Sequence, residues 1–215
     1  MTDDTKTWTQ IHAGRSSLAD TIEGLTAEQW QTPSLCAGWN VGMIAAHLLS
    51  SAEQTPGHFI GGMLRSGFSF NRAMAHEIDA RADLSPQQIA EALRRRTTTT
   101  NKPPAPALAM LGEVVVHGED LRRPLGLSAE VDADAANACL SMYTRASFPV
   151  GGKKRIAGLR LVSTDTGWTY GDGPEVTGPA MSLLLAMTGR RAGVADLSGE
   201  GAAQLGQRVA AGAAA

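Results

Sequence analysis

Residues 107–123 read ALAMLGEVVVHGEDLRR, a mostly apolar run of helical length that is followed by Pro124. We predict one helix here, which ends at the proline or shortly after it. Glu113 and His117 are four residues apart, so their side chains lie on the same helix face with Cβ atoms about 5 to 6 Å apart. That spacing allows both side chains to bind one metal ion.

The Glu113–His117 pair by itself leaves two interpretations open. The chain has 5 histidines and 21 acidic residues in 215 positions. A random arrangement of these residues would contain roughly 0.5 pairs in which a carboxylate lies four residues before a histidine. The pair flanks three consecutive valines, however, and an unpaired carboxylate is costly in apolar surroundings. A bound metal ion would relieve that cost, and so would a structural hydrogen bond between the two side chains.

The best candidate for a third ligand is His47, in the segment GWNVGMIAAHL of residues 38–48. This segment predicts a helix from Val41 to about Ala52 with Asn40 as its N-cap, which places His47 in the middle of the helix. Two imidazoles and one carboxylate would leave open positions for water or substrate, as in catalytic zinc sites. The three remaining histidines have no partner at ligand spacing.

The bulk composition is that of an ordinary globular protein. The hydrophobic content is 43%, the charged content is 19%, the formal net charge is −2 and the pI is about 6.2. This charge supplies no basic field, so we expect no nucleic acid and no membrane among the partners. Two cysteines establish no disulfide framework, and the sequence shows neither a signal sequence nor an apolar run of membrane-spanning length. We therefore expect a cytoplasmic protein, monomeric or homodimeric.

The pattern of elements divides the chain into two predicted domains. Helices are predicted over residues 8–24, 41–52, 71–80, 85–96, 107–123 and 132–147, whereas glycine weakens the helical prediction between residues 55 and 70. Beyond Pro149, alternating residues up to 177 predict short antiparallel strands, followed by a buried helix that Gly189 ends and a tail that frays from Ala210. We predict a mainly α protein, with a helical bundle at 1–148 and a small α+β domain at 149–215.

Three segments together resemble one known family. These are residues 38–48, residues 113–122 (EVVVHGEDLR) and the stretch from Asp165 to Arg190 with its DTGWTYGDG and GPAMSLLLAMTGR motifs. They are similar to the mycothiol-dependent maleylpyruvate isomerases, within the wider DinB-like group of metalloproteins. The resemblance implies a DinB-like four-helix bundle followed by a small α+β C-terminal domain, which agrees with the pattern of elements.

The resemblance also implies a ligand set and a chemistry. The two histidines and the glutamate that bind zinc in the family match His47, Glu113 and His117. Zinc or another divalent metal would then be the cofactor, mycothiol the thiol cosubstrate, and an electrophilic small molecule the substrate. The implied activity is a cis-trans isomerase of a maleylpyruvate-like substrate or a thiol S-transferase.

Two further residues are candidates for the active site. Asp120 lies three residues after His117 and would accept an imidazole N–H; alternatively it pairs with Arg122 or Arg123 at the helix end. Arg190 would contact an anionic substrate or the thiol headgroup; alternatively it only stabilises a helix C-terminus.

Three rival functions remain open from the sequence. The first is a non-catalytic metal-binding module, and the second is a metal-dependent hydrolase in which Glu119 or Asp120 is the base. The third is a structural protein without metal.

Overall fold

The computed structural model describes residues 4–147 and 150–212. Contacts divide the chain into two compact units, Met1–Glu130 and Val131–Ala215. The predicted boundary between residues 148 and 149 lies outside the described residues. The helix predicted over residues 132–147 precedes this boundary and packs against a later helix of the second unit. The contacts therefore divide the chain earlier than the sequence pattern does.

The first unit contains a four-helix bundle. Its elements are α1 (Asp4–Glu23), α2 (Ala27–Gln31), α3 (Val41–Glu53), α4 (Pro56–Arg65), α5 (Phe70–Asp79), α6 (Pro86–Arg94), α7 (Ala107–Arg122) and a 3-10 turn (Arg123–Leu125). Helices α1 and α3 each pack against both α6 and α7, while α4 and α5 pack against each other and α5 also packs against α3. Large aliphatic side chains fill the interior, among them Ile11, Leu18, Ile22, Ile44, Leu49, Ile89, Leu93 and Leu111. Burial of this apolar surface is the main force that holds the bundle together.

Local capping signals fix where several of these helices begin. Thr26 and Ser85 form the capping boxes of α2 and α6, and Asn40 Oδ1 accepts the Met43 N–H at 2.8 Å at the start of α3. These contacts satisfy N–H groups that have no partner inside the helix. The predicted starts of α3 and α6 are therefore confirmed.

Helix α4 is the element that the glycine content obscured. Thr55 caps it through the His58 N–H, and Pro56 occupies its first turn, where the missing N–H of proline does no harm. Packing against α5 offsets the low helix propensity of its glycines.

The second unit is built around one buried helix. Its elements are α8 (Ala133–Tyr143), α9 (Gly152–Arg155), β1 (Arg160–Ser163), β2 (Thr169–Tyr170), β3 (Glu175–Gly178), α10 (Ala180–Met187), α11 (Arg191–Val194) and α12 (Ala202–Gly212). Helix α10 packs against α8, α11 and α12. The prediction that the tail frays from Ala210 is wrong as far as Gly212, because α12 buries Leu205 and Val209 and continues to that residue; the rest of the predicted tail, 213–215, lies outside the described residues.

The strand directions correct the sequence prediction in part. The sheet order is β2-β1-β3; β1 and β2 are antiparallel as predicted, but β1 and β3 are parallel. Between β2 and β3 the chain crosses the beginning of β1. Gly171 (φ 79°) and Gly173 (φ 127°) adopt backbone conformations that favour glycine, and a Cβ at either would collide with the carbonyl of Leu159 or Gly158.

The prediction of a mainly α protein is confirmed, since the described residues form mostly helices with one small sheet. Within the part of the chain that is described, none of the helices combines the length and the apolar character needed to cross a membrane.

Candidate metal centre

Helices α3 and α7 bring together the three residues that were predicted from the sequence to be metal ligands. His47 Nε2 lies 2.8 Å from Glu113 Oε2, and His117 Nε2 lies 3.7 Å from the same oxygen. The two imidazole rings have centroids 4.7 Å apart and are nearly perpendicular, at 79°. One ligand atom from each residue falls within 4.8 Å of the others. The three donors thus converge on one small volume.

This geometry fits a metal ion. Bonds of 2.0 to 2.1 Å to a tetrahedral zinc place two ligand atoms about 3.3 Å apart. The separations of 2.8 and 3.7 Å from Glu113 Oε2 bracket that value. The 3.7 Å separation is too long for a hydrogen bond, which disfavours a purely structural Glu113–His117 pair. The chemistry of the donor set, two nitrogens and one carboxylate oxygen, is that of catalytic zinc sites.

The second nitrogen of His117 is held by a buried carboxylate. His117 Nδ1 lies 2.8 Å from Asp120 Oδ2, and the Asp120 side chain is 0% exposed. If Nδ1 carries the proton that it shares with Asp120, the lone pair of the neutral form of the ring is on Nε2, which faces Glu113. Asp120 therefore makes the contact that the sequence predicted for it. Of the two alternative partners of Asp120, Arg122 and Arg123, the first donates to Thr21 and Ser17.

A loop before α3 supplies a second donor to Asp120. The Sγ of Cys36 lies 3.2 Å from Asp120 Oδ2, and the Leu35 N–H donates to the Asp120 carbonyl oxygen at 3.3 Å. Within the loop, the Ser34 hydroxyl accepts the Cys36 N–H and donates to the Trp39 carbonyl. The loop therefore fixes the position of the carboxylate that orients His117. The thiol, Asp120 and His117 also form a second group of closely spaced donor atoms.

Trp39 lies against the other histidine of the cluster. Its ring centroid is 5.4 Å from that of His47, with an edge-to-face angle of 61°. The indole thus packs beside the His47 ring. The side chains of His47 and His117 are 13% and 15% exposed, while that of Glu113 is 30% exposed. The site is accessible mainly at the carboxylate.

A cavity of about 110 Å³ opens beside His47 and Glu113 within the first unit. Its wall comes from α3, α4, α5 and α7 and is mostly apolar. At its far side, His58 Nε2 lies 2.9 Å from Glu77 Oε1, while Arg81 and Ser50 contact the other carboxylate oxygen at 2.9 and 3.2 Å. Burial raises the pKa of the Glu77 carboxyl, but the hydrogen bonds and charges of Arg81 and His58 outweigh it and lower that pKa overall.

Sequence reasoning missed the polar residues of this cavity and the contact of Cys36 with Asp120. His58 and Glu77 belong to different helices, so no fixed sequence spacing links them. For His58, the sequence showed only a polar residue type, between residues 55 and 70, where glycine weakens the helical prediction. Cys36 and Asp120 are even further apart along the chain.

Arg190 and Glu119 are the remaining candidates. Arg190 belongs to the second unit, where its guanidinium donates to the Thr188 carbonyl at 2.9 Å. A role for it in the active site stays a prediction. Burial raises the pKa of the Glu119 carboxyl, an effect that Arg122 and Arg123 partly oppose.

Comparisons with known proteins bear on the family. Residues 11–107 match the family described as the mycothiol maleylpyruvate isomerase N-terminal domain. Among curated proteins, none matches significantly.

Solved structures share the fold over nearly the whole length of the chain. A crystal structure of the mycothiol-dependent maleylpyruvate isomerase aligns with a TM-score of 0.65 at 16% identity, covering 92% of this chain and 93% of that one. A histidine-to-alanine mutant of the enzyme aligns over the same shares with a TM-score of 0.64 and 16% identity. The DinB-like fold that the sequence predicted is therefore confirmed. Residues 11–107, which lie in the first unit, are therefore similar to the mycothiol maleylpyruvate isomerase N-terminal domain family.

Proposed function

We propose that this protein is a metal-dependent enzyme that uses a low-molecular-weight thiol, mycothiol, as nucleophile toward an electron-poor alkene. The product is either the trans isomer of a maleylpyruvate-like substrate or a thioether adduct. The observation that carries the proposal is the convergence of His47, Glu113 and His117 beside a cavity. The family match and the structural similarity to a mycothiol-dependent isomerase support it.

In this proposal His47, Glu113 and His117 hold a divalent metal, with zinc as the first choice. Neutral imidazoles and one carboxylate leave a net charge of about +1 on a zinc site with an open position. A bound zinc ion would lower the pKa of a thiol, which is ordinarily about 8.5, and so would populate the nucleophilic thiolate near neutral pH.

The reaction needs a sulfur nucleophile and an alkene conjugated to a carbonyl. The thiolate forms a carbon–sulfur bond while the π electrons of the alkene move onto the carbonyl oxygen as an enolate. The former double bond is now single and rotates. When the enolate re-forms the double bond and expels the thiolate, the product is the trans isomer. When the enolate takes a proton at carbon instead, the thioether is released, and the reaction is an S-transfer.

The protein's own residues prepare the site for this chemistry. Asp120 keeps His117 in the tautomer and orientation that present Nε2 to the cluster, and the Cys36 thiol donates to the same carboxylate. The edge of Trp39 and the apolar wall of the cavity limit the access of water, which would compete with the thiol.

The rival functions are less well supported. A hydrolase needs a carboxylate base near the metal, but Asp120 Oδ2 is engaged by His117 and Cys36, and Glu119 is not part of the group that converges with His47. A module that only stores metal has no use for a cavity that opens beside two of the three donors. Both observations favour a reaction between a thiol and a second substrate.

The test compares two histidine variants. We expect the purified protein to bind about one equivalent of zinc, and His117→Ala to lose it while circular dichroism shows the helices retained. His76→Ala is the matched control, because His76 is exposed and contacts only the Ser66 hydroxyl among the bonds that the structure shows for it; it should keep the zinc. Unchanged zinc in His117→Ala would refute the proposed ligand set. Thiol-dependent turnover of an activated cis-alkene by the zinc-loaded protein, absent from His117→Ala, would support the reaction.

A further inference from the structure

A histidine and a glutamate from different helices form a hydrogen-bonded pair in the wall of the cavity. His58 lies in the first turn of α4, and its Nε2 is 2.9 Å from Oε1 of Glu77, which belongs to α5. Both residues line the cavity that is also lined by His47 and Glu113. The proposed metal site uses neither member of the pair, so its role is still to be assigned.

The pair lies close to the metal centre along α3. His47 and Ser50 are three residues apart on this helix, which places them on the same face and about 4.5 Å apart along the axis. The Ser50 hydroxyl donates to Glu77 Oε2 at 3.2 Å. The carboxylate that contacts His58 is thus anchored about one helical turn along α3 from His47. A small molecule that reacts at the metal centre can reach this imidazole across the cavity.

Glu77 is the hydrogen-bond acceptor of the pair. Burial raises the pKa of its carboxyl, but the contacts of Arg81 and His58 lower that pKa overall, so the carboxylate is ionised near neutral pH. An ionised carboxylate only accepts protons. This favours the neutral tautomer of His58 that has the proton on Nε2 and the lone pair on Nδ1.

The second ring nitrogen of His58 is available to a ligand. Among the described residues, Nδ1 has no hydrogen-bond partner. A carboxylate that holds one nitrogen of an imidazole while the other stays free for substrate is the arrangement that general acid–base catalysis uses.

The proposed reaction needs such a group at two points. The S–H proton has to leave sulfur before the attack, and the enolate carbon has to gain a proton before a thioether is released. Among the described residues that line the cavity, the titratable side chains are His47, His58, Glu77 and Glu113. Two of them are the proposed metal ligands, and Glu77 is engaged by its own hydrogen bonds. His58 is therefore the side chain of the wall that is left to carry the proton.

We infer that His58 is a catalytic residue that moves the proton in this reaction, and that Glu77 positions it. The inference rests on the proposed function, because it assigns the acid and base of that site. Nδ1 takes the S–H proton, and the electron pair left on sulfur forms the carbon–sulfur bond while the π electrons of the alkene move onto the carbonyl oxygen.

The enolate then has two exits. When it re-forms the alkene, the electrons of the carbon–sulfur bond return to sulfur, and the trans isomer leaves while His58 keeps the proton. When the enolate carbon takes the proton from Nδ1, the carbonyl re-forms, the thioether leaves and the imidazole is neutral again. His58 therefore promotes S-transfer over isomerisation.

The position of the proton on the ring can be measured without metal, thiol or turnover. In the zinc-free protein with ¹⁵N-labelled histidine, the ring signals that His58→Gln removes belong to His58. We expect the neutral form of this ring to carry its proton on Nε2 and a lone pair on Nδ1. A neutral ring with the proton on Nδ1 would overturn the inference, because it could not accept the thiol proton there.

The ratio of the two products tests the role of the pair in the reaction. The zinc-loaded protein is mixed with mycothiol and maleylpyruvate, and the initial rates of thioether and trans-isomer formation are corrected for the uncatalysed rates. General acids accelerate such steps by about 10²- to 10⁴-fold, so the thioether-to-isomer ratio should fall at least about tenfold in His58→Gln. It should fall in the same direction, but by less, in Glu77→Gln.

His76→Gln is the matched control. His76 is an exposed histidine of α5 that does not line the cavity, and its substitution should leave the ratio within about twofold of the original. Zinc content and thermal unfolding verify that each variant retains its metal site and fold.

A purely structural His58 would lower both rates by the same factor. An unchanged ratio in His58→Gln would therefore refute the catalytic role while leaving the thiol enzyme intact, and so would an original protein that forms only the isomer. If His58→Gln forms neither product, the ratio in Glu77→Gln decides in the same way. If the original protein accelerates neither product, the proposed function fails and this inference falls with it.

Discussion

Replacing Asp120 by asparagine tests whether this residue tunes the metal centre through His117. The substitution is nearly isosteric, so the side chain still fills its buried position and can accept a hydrogen bond through the amide oxygen. It removes the negative charge of Asp120. That charge fixes the His117 tautomer, and it also makes the imidazole nitrogen a stronger electron-pair donor to a metal. We expect zinc to bind more weakly while the fold is retained.

The magnitude follows from the contact between the two side chains. His117 Nδ1 and Asp120 Oδ2 are 2.8 Å apart, and the carboxylate is 0% exposed. A hydrogen bond to a charged group contributes about 1.5 to 3 kcal/mol and a neutral one about 1 kcal/mol. The loss of about 0.5 to 2 kcal/mol corresponds to zinc affinity that is about 2- to 30-fold lower. The free energy of unfolding of the zinc-free protein should change by less than the free energy of zinc binding, because the weaker hydrogen bond is offset by the removal of a buried charge.

The assay is a competition for zinc between the protein and a chromophoric chelator near neutral pH. Glu91→Gln is the control, since it also removes one negative charge from the first unit but at an exposed ion pair with Arg95. It should leave the dissociation constant for zinc unchanged. Urea unfolding of the zinc-free proteins reports any general loss of stability.

A dissociation constant for Asp120→Asn within about twofold of the original would refute the reasoning, because Asp120 would then be only a helix-end carboxylate that happens to lie near the ring. A large loss of affinity together with a similar loss in the Glu91→Gln control would refute it as well. The effect would then follow from net charge and not from the His117 contact.

Two further substitutions test the packing and the pH dependence of the first unit. Gly42→Ala places a Cβ about 2.7 Å from the Trp30 indole, and we expect urea unfolding to show a free energy of unfolding that is about 1 to 3 kcal/mol lower. Gly61→Ala is the control, because its Cβ meets nothing within 4 Å, and it should be neutral or stabilising. An equal loss of stability in both variants would refute the packing argument. Because the folded-state pKa of Glu77 lies below its ordinary value of 4.5, its ionised form stabilises the protein above that pH, and this contribution disappears as the pH falls through the folded-state pKa. Glu77→Gln should therefore be less stable near neutral pH and lose less stability on acidification, and parallel pH profiles of urea unfolding would contradict this.

The bundle could be predicted from the sequence because its signals are local. Thr26, Asn40 and Ser85 each cap a helix through contacts within three residues, so the caps are visible without any knowledge of the fold. The spacing of Glu113 and His117 is equally local. His47 was located only by its helix and by the resemblance, since nothing in its own segment shows what it faces.

The features that escaped prediction depend on contacts between distant segments. The direction of β3 is set where the chain crosses β1, and the alternation of residues within a strand says nothing about which neighbour it pairs with. The contacts between His58 and Glu77 and between Cys36 and Asp120 each join two elements whose approach is decided by packing. The residue types were visible in these cases, but their partners were not.

The distribution of the site over the helices also explains which part of it is rigid. Helix α7 carries Glu113, His117 and Asp120 at spacings of four and three residues, so two proposed ligands and the residue that orients one of them lie on a single helix face. The next residue after Glu113, Val114, packs where a side chain at Gly14 of α1 would otherwise lie. That close approach prevents α7 from rotating or sliding without a collision against α1. Because α3 supplies only His47, the fit of the three donors to a metal ion depends on the position of α3 relative to α7.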